Sequence, residues 1–371
     1  MNYINRDIIN NRNYAEGRWS AVGPYYAMFP NEFAYDVISQ YSKVGDKVLD
    51  PFAGRGTTLY IGGLLERHCD GIEINPVGWL YSFVKLNPAR RKENVINRLY
   101  EIYELSGKYK NKAKSMPLFY HYCYCKEVLC FLLAARDNLD WKNRTIDATL
   151  MVFIILSLHD KIGNGLSNQM QLTKSMGQNY SIEWWKRNNM SKPPKIAPVA
   201  LLKKKIEWRY GKGINDIKNS CIYYGDSTVI LNRLINKNRK YSLLLTSPPY
   251  YSLTDYHVDQ WLRLWMLGGP TESKTSDHKY KGRFTSEQEY IDLLDIVFEK
   301  TSKIMHEKSV VYVRTDARTF TKNITIQILK KHYPLHKLDI IDRPLLKRTQ
   351  TSIFNNNTIK PGEVDLILTR N

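Results

Sequence analysis

The chain has 371 residues, of which 43% are hydrophobic and 25% are charged, so it can bury a large core. Its 55 Lys and Arg residues outnumber its 36 Asp and Glu residues, and the net charge of +19 predicts an attraction to polyanions, either nucleic acid or an anionic membrane surface. No apolar run approaches the roughly 18–20 residues of a membrane-spanning helix, and the first residues lack the apolar segment of a signal peptide. Five cysteines, an odd number, do not indicate a disulfide framework, so we expect a reduced, cytoplasmic compartment.

A strand, a glycine-containing turn and a helix are predicted near the N-terminus. A helix at residues 32–41, with Asn31 as N-cap, precedes a short buried strand at residues 47–50. Residues 51–58 form the turn, and an apolar helix follows through Leu65. In this context the glycines let the backbone approach a ligand, and the helix N-terminus offers free N–H groups. The spacing differs from the dinucleotide-binding Gly-x-Gly-x-x-Gly element, and the turn lacks the lysine of a phosphate-binding loop.

A second strand, at residues 69–74, carries a carboxylate near its end. Glu73 lies 17 residues after Gly56, a spacing that suits a carboxylate holding a ribose diol at the neighbouring strand end. On its own, a glutamate at a strand end is equally well explained as a surface charge. Together with the glycine turn, Glu73 becomes a candidate ribose ligand.

The sequence Ser-Pro-Pro-Tyr at residues 247–250 follows an apolar strand at residues 241–245. Two prolines cannot continue a central strand, because each lacks a ladder donor and has a fixed φ. Ser247, a proline carbonyl and Tyr250 are therefore expected at the carboxyl edge of a sheet, where open α/β folds bind ligands. A small polar side chain, a fixed acceptor and an aromatic face suit a flat ring with an exocyclic amine. A Pro-Pro loop with a packing tyrosine is the alternative.

Asp50-Pro-Phe-Ala-Gly-Arg-Gly-Thr-Thr58 together with Ser247-Pro-Pro-Tyr250 resembles the S-adenosylmethionine-dependent DNA amino-methyltransferases, which modify cytosine-N4 or adenine-N6. The likeness covers roughly residues 20–90 and 218–371. It implies an α/β fold with a Rossmann-like sheet of seven mostly parallel strands and one antiparallel strand near the C-terminus. It also implies S-adenosylmethionine as the cofactor.

The resemblance implies two groups of site residues. In the family, the segment that includes residues 26–30 packs over the methionine end of the cofactor, and the turn at Asp226 contacts its adenine. The cofactor-binding residues carried over in this way are Tyr26, Met28, Phe29, Pro30, Asp50, Pro51, Phe52, Ala53, Gly54, Gly56, Thr57, Thr58, Glu73, Ile74, Asp226 and Ser227. The catalytic residues are Ser247, Pro248, Pro249 and Tyr250.

A long basic interval separates the two halves of this methyltransferase core. Residues 76–215 contain 24 Lys and Arg residues and 10 Asp and Glu residues, a net +14 of the chain's +19. We predict core segments at residues 1–78 and 216–371, with a mainly helical insertion at residues 79–215 that recognises the DNA target. The alternative is a helical subdomain with solvated lysines and core tryptophans. Aromatic and cationic residues alternate in the insertion, and the predicted DNA-binding residues are Tyr180, Trp184, Trp185, Lys186, Arg187, Lys203, Lys204 and Lys205.

No metal site is expected. His121, Cys123, Cys125 and Cys130 contain no Cys-x-x-Cys pair and adjoin a helical apolar run, so core cysteines are favoured over zinc ligands. The chain also has no Pro-Cys dipeptide, which excludes the nucleophilic cysteine of a cytosine-C5 enzyme.

The function predicted from these motifs is site-specific methylation of double-stranded DNA at the exocyclic amine of a flipped base. Serine at the first position of the Ser-Pro-Pro-Tyr motif favours cytosine-N4 by association within the family, with adenine-N6 as the alternative. An RNA base methyltransferase and a non-catalytic DNA-binding protein remain further alternatives. A cognate restriction endonuclease is a candidate partner. We expect no association with a membrane.

Overall fold

The protein is described by a computed structural model that covers residues 4–24, 29–252, 256–272, 286–343 and 362–370, with the backbone alone at residues 256 and 257. Its centre is a seven-stranded sheet with the spatial order β3-β2-β1-β4-β5-β7-β6. The strands are β1 (Lys47–Asp50), β2 (His68–Glu73), β3 (Cys221–Tyr224), β4 (Tyr241–Thr246), β5 (Met305–Asp316), β6 (Lys337–Arg343) and β7 (Glu363–Thr369). All neighbours from β3 to β5 pair in parallel, whereas β7 is antiparallel to both β5 and β6. The predicted α/β fold, with one antiparallel strand near the C-terminus, is confirmed.

Helices cover both faces of this sheet. Within the described residues the α-helices are α1 (Ala15–Ser20), α2 (Asn31–Tyr41), α3 (Thr57–Leu64), α4 (Pro76–Leu86), α5 (Lys92–Leu105), α6 (Lys110–Lys114), α7 (Leu118–Cys123), α8 (Lys126–Asn138), α9 (Thr145–Ile155), α10 (Gln178–Arg187), α11 (Pro198–Tyr210), α12 (Ser227–Asn236), α13 (Tyr256–Asp259), α14 (Trp261–Met266), α15 (Glu287–Ser302) and α16 (Thr319–His332). Two short 3₁₀ helices lie at Arg6–Ile9 and Ser106–Tyr109.

The apolar run of β4 is explained by burial on both faces of the sheet. Leu243 and Leu245 belong to the core beneath α2, α3 and α4, whereas Leu244 belongs to the core beneath α12, α15 and α16. Successive side chains of a strand point to opposite faces, so a strand covered on both sides needs apolar residues at every position.

Residues 79–215, the segment predicted to be an insertion, share one continuous core with the sheet. The apolar cluster on the α4 face runs from β4 into α8, α9 and α14. Every residue of α9 from Asp147 to Ile155 is buried, which explains the apolar segment around residue 151 as a core helix. Asp147 is tolerated there because Arg98 Nε donates a 2.9 Å hydrogen bond to its carboxylate. None of the helices in the described ranges is both long and apolar enough to cross a bilayer.

Two predicted boundaries differ from the structure. Helix α2 begins at Asn31, with Pro30 rather than Asn31 in the N-cap position, because the Asn31 side chain turns inward and donates to Asn10 Oδ1 at 2.7 Å. The predicted insertion boundary at residue 79 falls inside α4, which packs on β2 and β3 and therefore covers the sheet.

Candidate active site

The glycine turn and the Ser-Pro-Pro-Tyr loop emerge at the same edge of the sheet. Strands β1 and β4 are adjacent and parallel, with Val48 opposite Leu243 and Leu49 opposite Leu244. Residues 51–58 and 247–250 directly follow the carboxyl ends of these two strands. Strands β2 and β3 end at the same edge, with Glu73 opposite Tyr224. The strand alignment therefore brings together four loops that are distant in sequence, as expected for ligand binding in an open α/β sheet.

Asp50 joins the glycine turn to the Ser-Pro-Pro-Tyr loop. Its Oδ2 accepts a 2.6 Å hydrogen bond from Thr58 Oγ1, and its Oδ1 accepts a 2.7 Å bond from Thr246 Oγ1. The Phe52 amide donates a third bond of 3.1 Å. Burial raises the pKa of Asp50 to about 6 even though these three donors favour the ionised form. The side chain acts as a buried clamp between the two loops.

The turn after β1 depends on two glycines in the left-handed region. Gly54 has φ 52° and Gly56 has φ 72°. A Cβ at Gly56 would lie 2.5 Å from Ser82 Oγ, so helix α4 leaves no space for a side chain there. Ser82 Oγ in turn donates a 3.1 Å hydrogen bond to the Gly54 carbonyl. The turn therefore lies tightly against α4 while Gly54 remains partly exposed.

Glu73 ends β2 as a buried carboxylate beside this turn. Its Oε1 accepts a 2.6 Å hydrogen bond from the Asn75 amide. Burial raises the pKa of Glu73 to about 8, although backbone donors from Asn75 and Gly54 partly oppose the shift. A Cβ at Gly78 would lie 3.1 Å from Glu73 Cγ and 2.8 Å from the Gly54 carbonyl oxygen. Only glycine at that position lets the carboxylate and the turn lie side by side.

The turn after β3 is bonded to both earlier loops. The Gly225 amide donates to the Glu73 carbonyl at 3.0 Å, and Ser227 Oγ donates to the Pro51 carbonyl at 2.5 Å. Asp226 caps helix α12, because its Oδ1 accepts from the Thr228 amide at 2.8 Å. Asp226 stays partly exposed after the end of β3, as does Ile74 after the end of β2.

The Ser-Pro-Pro-Tyr loop places two hydroxyl groups side by side. Ser247 Oγ lies 3.5 Å from Tyr250 Oη, and Tyr250 Oη donates a 3.1 Å hydrogen bond to Glu363 Oε1 at the start of β7. Burial, followed by the Glu363 charge, raises the pKa of Tyr250 well above its usual value. Pro248 is buried, whereas Ser247, Pro249 and Tyr250 remain partly exposed.

The far end of this loop is held by β5 and α16. The Arg318 guanidinium donates to the Tyr251 carbonyl and forms an ion pair of 2.8 Å with Asp316. The Tyr251 ring lies 5.1 Å from the Phe320 ring, measured between centroids. Loop residues on both sides of Tyr250 are thus fixed by the sheet and its covering helices.

Six further cofactor residues of the sequence prediction lie in the glycine turn or just before and at the start of α2. Pro51, Ala53, Thr57 and Thr58 are buried in the turn and support it. Phe29 is buried, with its ring centroid 5.2 Å from that of Phe33, and Pro30 is exposed at the start of α2. Tyr26 and Met28 lie outside the described residues.

The predicted DNA-contacting residues differ widely in exposure. Tyr180 is 55% exposed, Lys186, Arg187 and Lys204 are exposed, and Trp184, Lys203 and Lys205 are intermediate. Trp185 is completely buried, and its indole N–H donates to the Gln169 carbonyl at 2.7 Å. The prediction of Trp185 as a DNA-binding residue is therefore corrected: its side chain is in the core, because the apolar side of α10 packs against α7.

Within the described part of the chain, no group of three or more His, Cys, Asp or Glu residues could hold a metal ion. Cys123 and Cys130 are buried in the core. Among the described residues, the candidate site therefore consists of carboxylates, hydroxyls, glycines and aromatic rings.

Three contributors to this edge were not identified from the sequence. Thr246 bonds to Asp50, which is 196 positions away in the sequence, and Arg318 bonds to Tyr251, which is 67 positions away. Glu363 accepts from Tyr250, which is 113 positions away. Glu363 is the first residue of β7, and nothing in its local sequence indicates that it faces Tyr250. Only the pairing of β7 with β5 brings it there.

Comparisons with known proteins find sequence similarity in the N-terminal part of the chain. A family model described as "DNA methylase" matches residues 5–77, which contain β1, the glycine turn and Glu73. The type II methyltransferase M.SmaI of Serratia marcescens is 45% identical over 53 residues, and the type II methyltransferase M.MthZI of Methanothermobacter thermautotrophicus is 45% identical over 49 residues. These matches cover 14% and 13% of this chain, and 18% and 14% of those proteins.

A solved structure also overlaps with most of the chain. The rRNA methyltransferase aviRa from Streptomyces viridochromogenes aligns with 95% of this chain and 90% of its own, at 11% identity and a TM-score of 0.36.

The two curated relatives are matched over less than a fifth of their own length, so the similarity in sequence is confined to a short segment.

Proposed function

We infer that this chain, whose residues 5–77 match the family model described as DNA methylase, is an S-adenosylmethionine-dependent DNA amino-methyltransferase. The observation that carries the proposal is the 2.7 Å hydrogen bond from Thr246 to Asp50, which joins the glycine turn to the Ser-Pro-Pro-Tyr loop. An enzyme of this kind needs its methyl donor and its target amine at one place, and these two loops provide both walls of such a place.

The residues at the edge fit the proposed cofactor. Glu73 offers carboxylate oxygens to a ribose diol, and the turn at Gly54 presents bare backbone beside it. Phe52, Ile74 and Asp226 are partly exposed just after the ends of β1, β2 and β3, and we propose that they contact the adenosine. When bound, S-adenosylmethionine supplies an already activated methyl group.

The chain's own residues then position the amine. We propose that the target base leaves the duplex and enters beside Tyr250, where Ser247 Oγ and the Pro248 carbonyl accept hydrogen bonds from its exocyclic amine. These acceptors orient the nitrogen lone pair towards the methyl group, so that positioning provides most of the rate enhancement. Ser247 is a poor base, and it orients the amine while the amine proton passes to solvent during or after transfer.

We propose cytosine-N4 as the target, with adenine-N6 as the alternative. Serine at the first position of the loop is commoner among cytosine-N4 enzymes of the family, and the same acceptor pair suits either amine. We also propose that the helices beyond α4 contribute to DNA recognition, because residues 76–215 carry most of the net positive charge.

The experiment is transfer of a labelled methyl group. The protein is incubated with S-adenosylmethionine labelled in its methyl group and with either duplex DNA or tRNA, and the acid-precipitated label is counted. We expect label in DNA only, and digestion to nucleosides should give N4-methylcytidine in its deoxy form. Label in tRNA alone would replace the proposal with an RNA enzyme, and label in neither, despite cofactor uptake, would contradict it.

A further inference from the structure

A cavity of about 720 Å³ lies beside the glycine turn, between the N-terminal segment and the insertion. Four cationic side chains line it: Arg12 from the N-terminal segment, Arg55 from the turn itself, and Lys205 and Arg209 from α11. Against these stands one lining carboxylate, Asp160. The cavity thus concentrates positive charge at the boundary between the sheet and the insertion.

The cations of this cavity are poorly compensated. Arg55 is only 7% exposed, and its guanidinium reaches neutral acceptors, the Gly23 carbonyl at 3.2 Å and Asn31 Oδ1 at 3.3 Å. Its Nε and that of Arg209 have no hydrogen-bond partner among the described residues. Lys205 Nζ donates to Ser157 Oγ at 3.1 Å, another neutral group.

A fifth basic residue, Lys85, lies behind the glycine turn and close to these cations. Lys85 is buried, and its Nζ donates to the Arg55 carbonyl at 2.7 Å. Burial lowers the pKa of Arg55 and of Arg209 to about 10, and burial, with the Arg55 and Arg209 charges, lowers that of Lys85 well below its usual value. Charges buried without a counter-charge are costly, and an anion entering the cavity would relieve that cost.

A second cavity adjoins the first and shares Asp160 and Leu172 with it. Its volume is about 550 Å³, and the aromatic side chains of Tyr180 and Trp184 line it. A cationic cavity next to an aromatic one matches the repeating chemistry of a nucleic-acid strand, in which phosphates alternate with flat bases. A free phosphate ion would use the first cavity and leave the second without a role.

We propose that the cavity formed by Arg12, Arg55, Lys205 and Arg209 binds a backbone phosphate of the DNA substrate. The inference rests on the proposed function in so far as DNA is the substrate. Because Arg55 belongs to the cofactor turn and Lys205 to the insertion, one phosphate held between them fixes the DNA strand relative to the site of methyl transfer. The same phosphate would contact both the basic insertion, through Lys205 and Arg209, and the glycine turn after β1, through Arg55.

The test is the salt dependence of DNA binding. Arg12→Gln and Lys205→Gln are compared with Lys330→Gln, which removes the same charge from an exposed position on α16. Affinity for a short duplex is measured by fluorescence anisotropy over a range of salt concentrations. We expect each cavity variant to reduce the slope of log affinity against log salt by about one, the value for one lost phosphate contact, and Lys330→Gln to leave it unchanged.

Two further measurements separate other sources of the anion. Titration with inorganic phosphate at constant ionic strength tests a free ion: saturable binding that the cavity variants lose, with an unchanged DNA slope, would overturn the proposal. Titration with S-adenosylmethionine tests whether the cavity holds the cofactor's carboxylate, and we expect wild-type affinity in both cavity variants. Loss of cofactor affinity with an unchanged DNA slope would also overturn it.

The inference and the proposed function fail in different ways. If the cavity variants reduce the salt slope of DNA binding as expected but the wild-type protein never methylates DNA, the proposed enzymatic function is contradicted and the phosphate site is supported. A protein that methylates DNA, with slopes that are the same in Lys205→Gln and Lys330→Gln, contradicts the phosphate site alone. Denaturant unfolding of each variant shows whether a lost contact reflects lost folding, and Arg12, which is exposed, is the substitution least coupled to the core.

Discussion

The hydroxyl of Thr246 donates a 2.7 Å hydrogen bond to the carboxylate of Asp50, across 196 residues of sequence. Thr246 is the last residue of β4 and Asp50 is the last residue of β1, so the bond couples the two loops at the point where they leave the sheet. Because Asp50 also accepts from Thr58 in α3, one buried carboxylate sets the relative position of both walls of the candidate site.

Thr246→Val should uncouple the two loops. The substitution keeps the shape and removes the shorter of two hydrogen bonds to Asp50 Oδ1, which keeps only the 3.1 Å bond from the Phe52 amide. Losing a hydrogen bond to a buried carboxylate costs about 1–3 kcal/mol of unfolding free energy. We expect methyl transfer to fall more than cofactor affinity, because the glycine turn keeps its own bond to Asp50. Single-turnover rates and calorimetric cofactor affinities measure the two effects. Thr246→Ser restores the hydroxyl and should recover most of the rate; failure to recover would assign the effect to packing.

Glu73 should make cofactor affinity depend on pH. Its pKa is raised to about 8, so at neutral pH the folded protein carries mostly the protonated acid, whereas the unfolded chain carries the carboxylate. A carboxylate accepts both hydroxyls of a ribose diol, so affinity for S-adenosylmethionine should rise as the pH approaches and passes about 8. Calorimetric titration between about pH 6 and about pH 9 should show this rise in the wild type and a flat profile, with weaker binding, in Glu73→Gln.

Glu73 should also make the stability of the folded protein depend on pH. A carboxyl whose pKa is raised on folding binds its proton more tightly in the folded state, so unfolding free energy decreases as pH rises from its ordinary pKa towards about 8. Glu73→Gln removes this contribution, and its urea-unfolding free energy should therefore depend less on pH in that window. An unchanged pH dependence in the variant would show that Glu73 titrates normally in the folded protein.

Tyr250 separates the roles of a ring and a hydroxyl. Tyr250→Ala removes the proposed stacking face and should abolish transfer while sparing cofactor binding. Tyr250→Phe keeps the ring and loses the hydroxyl, with its 3.1 Å hydrogen bond to Glu363 and its 3.5 Å contact with Ser247 Oγ, so it should retain most of the transfer rate. Initial rates with labelled S-adenosylmethionine measure both variants. Wild-type turnover by the alanine variant would remove the stacking role, and equal loss in the phenylalanine variant would move the role to the hydroxyl.

Gly56 is suited to a comparison of matched glycine substitutions. Gly45 and Gly56 both have positive φ, at 83° and 72°, but a Cβ at Gly45 meets nothing within 4 Å and one at Gly56 lies 2.5 Å from Ser82 Oγ. Gly45→Ala should cost about 1 kcal/mol from backbone strain alone. Gly56→Ala should cost more and should also weaken cofactor binding, because the turn must move away from α4. Urea unfolding and cofactor titration of the two variants check this, and equal costs would contradict the clash.

Substitutions at Trp185 and Tyr180 should separate the side of α10 that stabilises the fold from the side that binds DNA. Trp185→Ala empties a completely buried position and should cost about 3–5 kcal/mol of unfolding free energy. Tyr180, at 55% exposure, should affect stability little when replaced by alanine and should weaken DNA binding if the aromatic cavity holds a base. Thermal unfolding and anisotropy measure the pair. Weaker DNA binding in a stably folded Trp185→Ala, without an effect of Tyr180→Ala, would reverse the assignment.

Local sequence determined much of the sheet edge. The period and composition of residues 47–50 and 241–245 predicted buried strands, and the glycines of residues 54 and 56 and the prolines of residues 248 and 249 predicted where those strands end. Such signals are readable because strand burial and turn geometry depend on neighbouring residues. From them came the glycine turn, Glu73 and the Ser-Pro-Pro-Tyr loop, which the structure places at one edge. The fold class came from the resemblance of these motifs to the DNA amino-methyltransferases.

Only the tertiary structure decided which distant side chains meet. Thr246 bonds to Asp50 because β4 pairs with β1, and Glu363 bonds to Tyr250 because β7 pairs with β5. Neither pairing can be predicted from the local sequence. The same is true of Trp185, an aromatic residue among cations that packs inward, and of the cavity where Arg55 meets Lys205. Contacts of this kind depend on the packing of whole helices and strands, so they become visible only when the chain has folded.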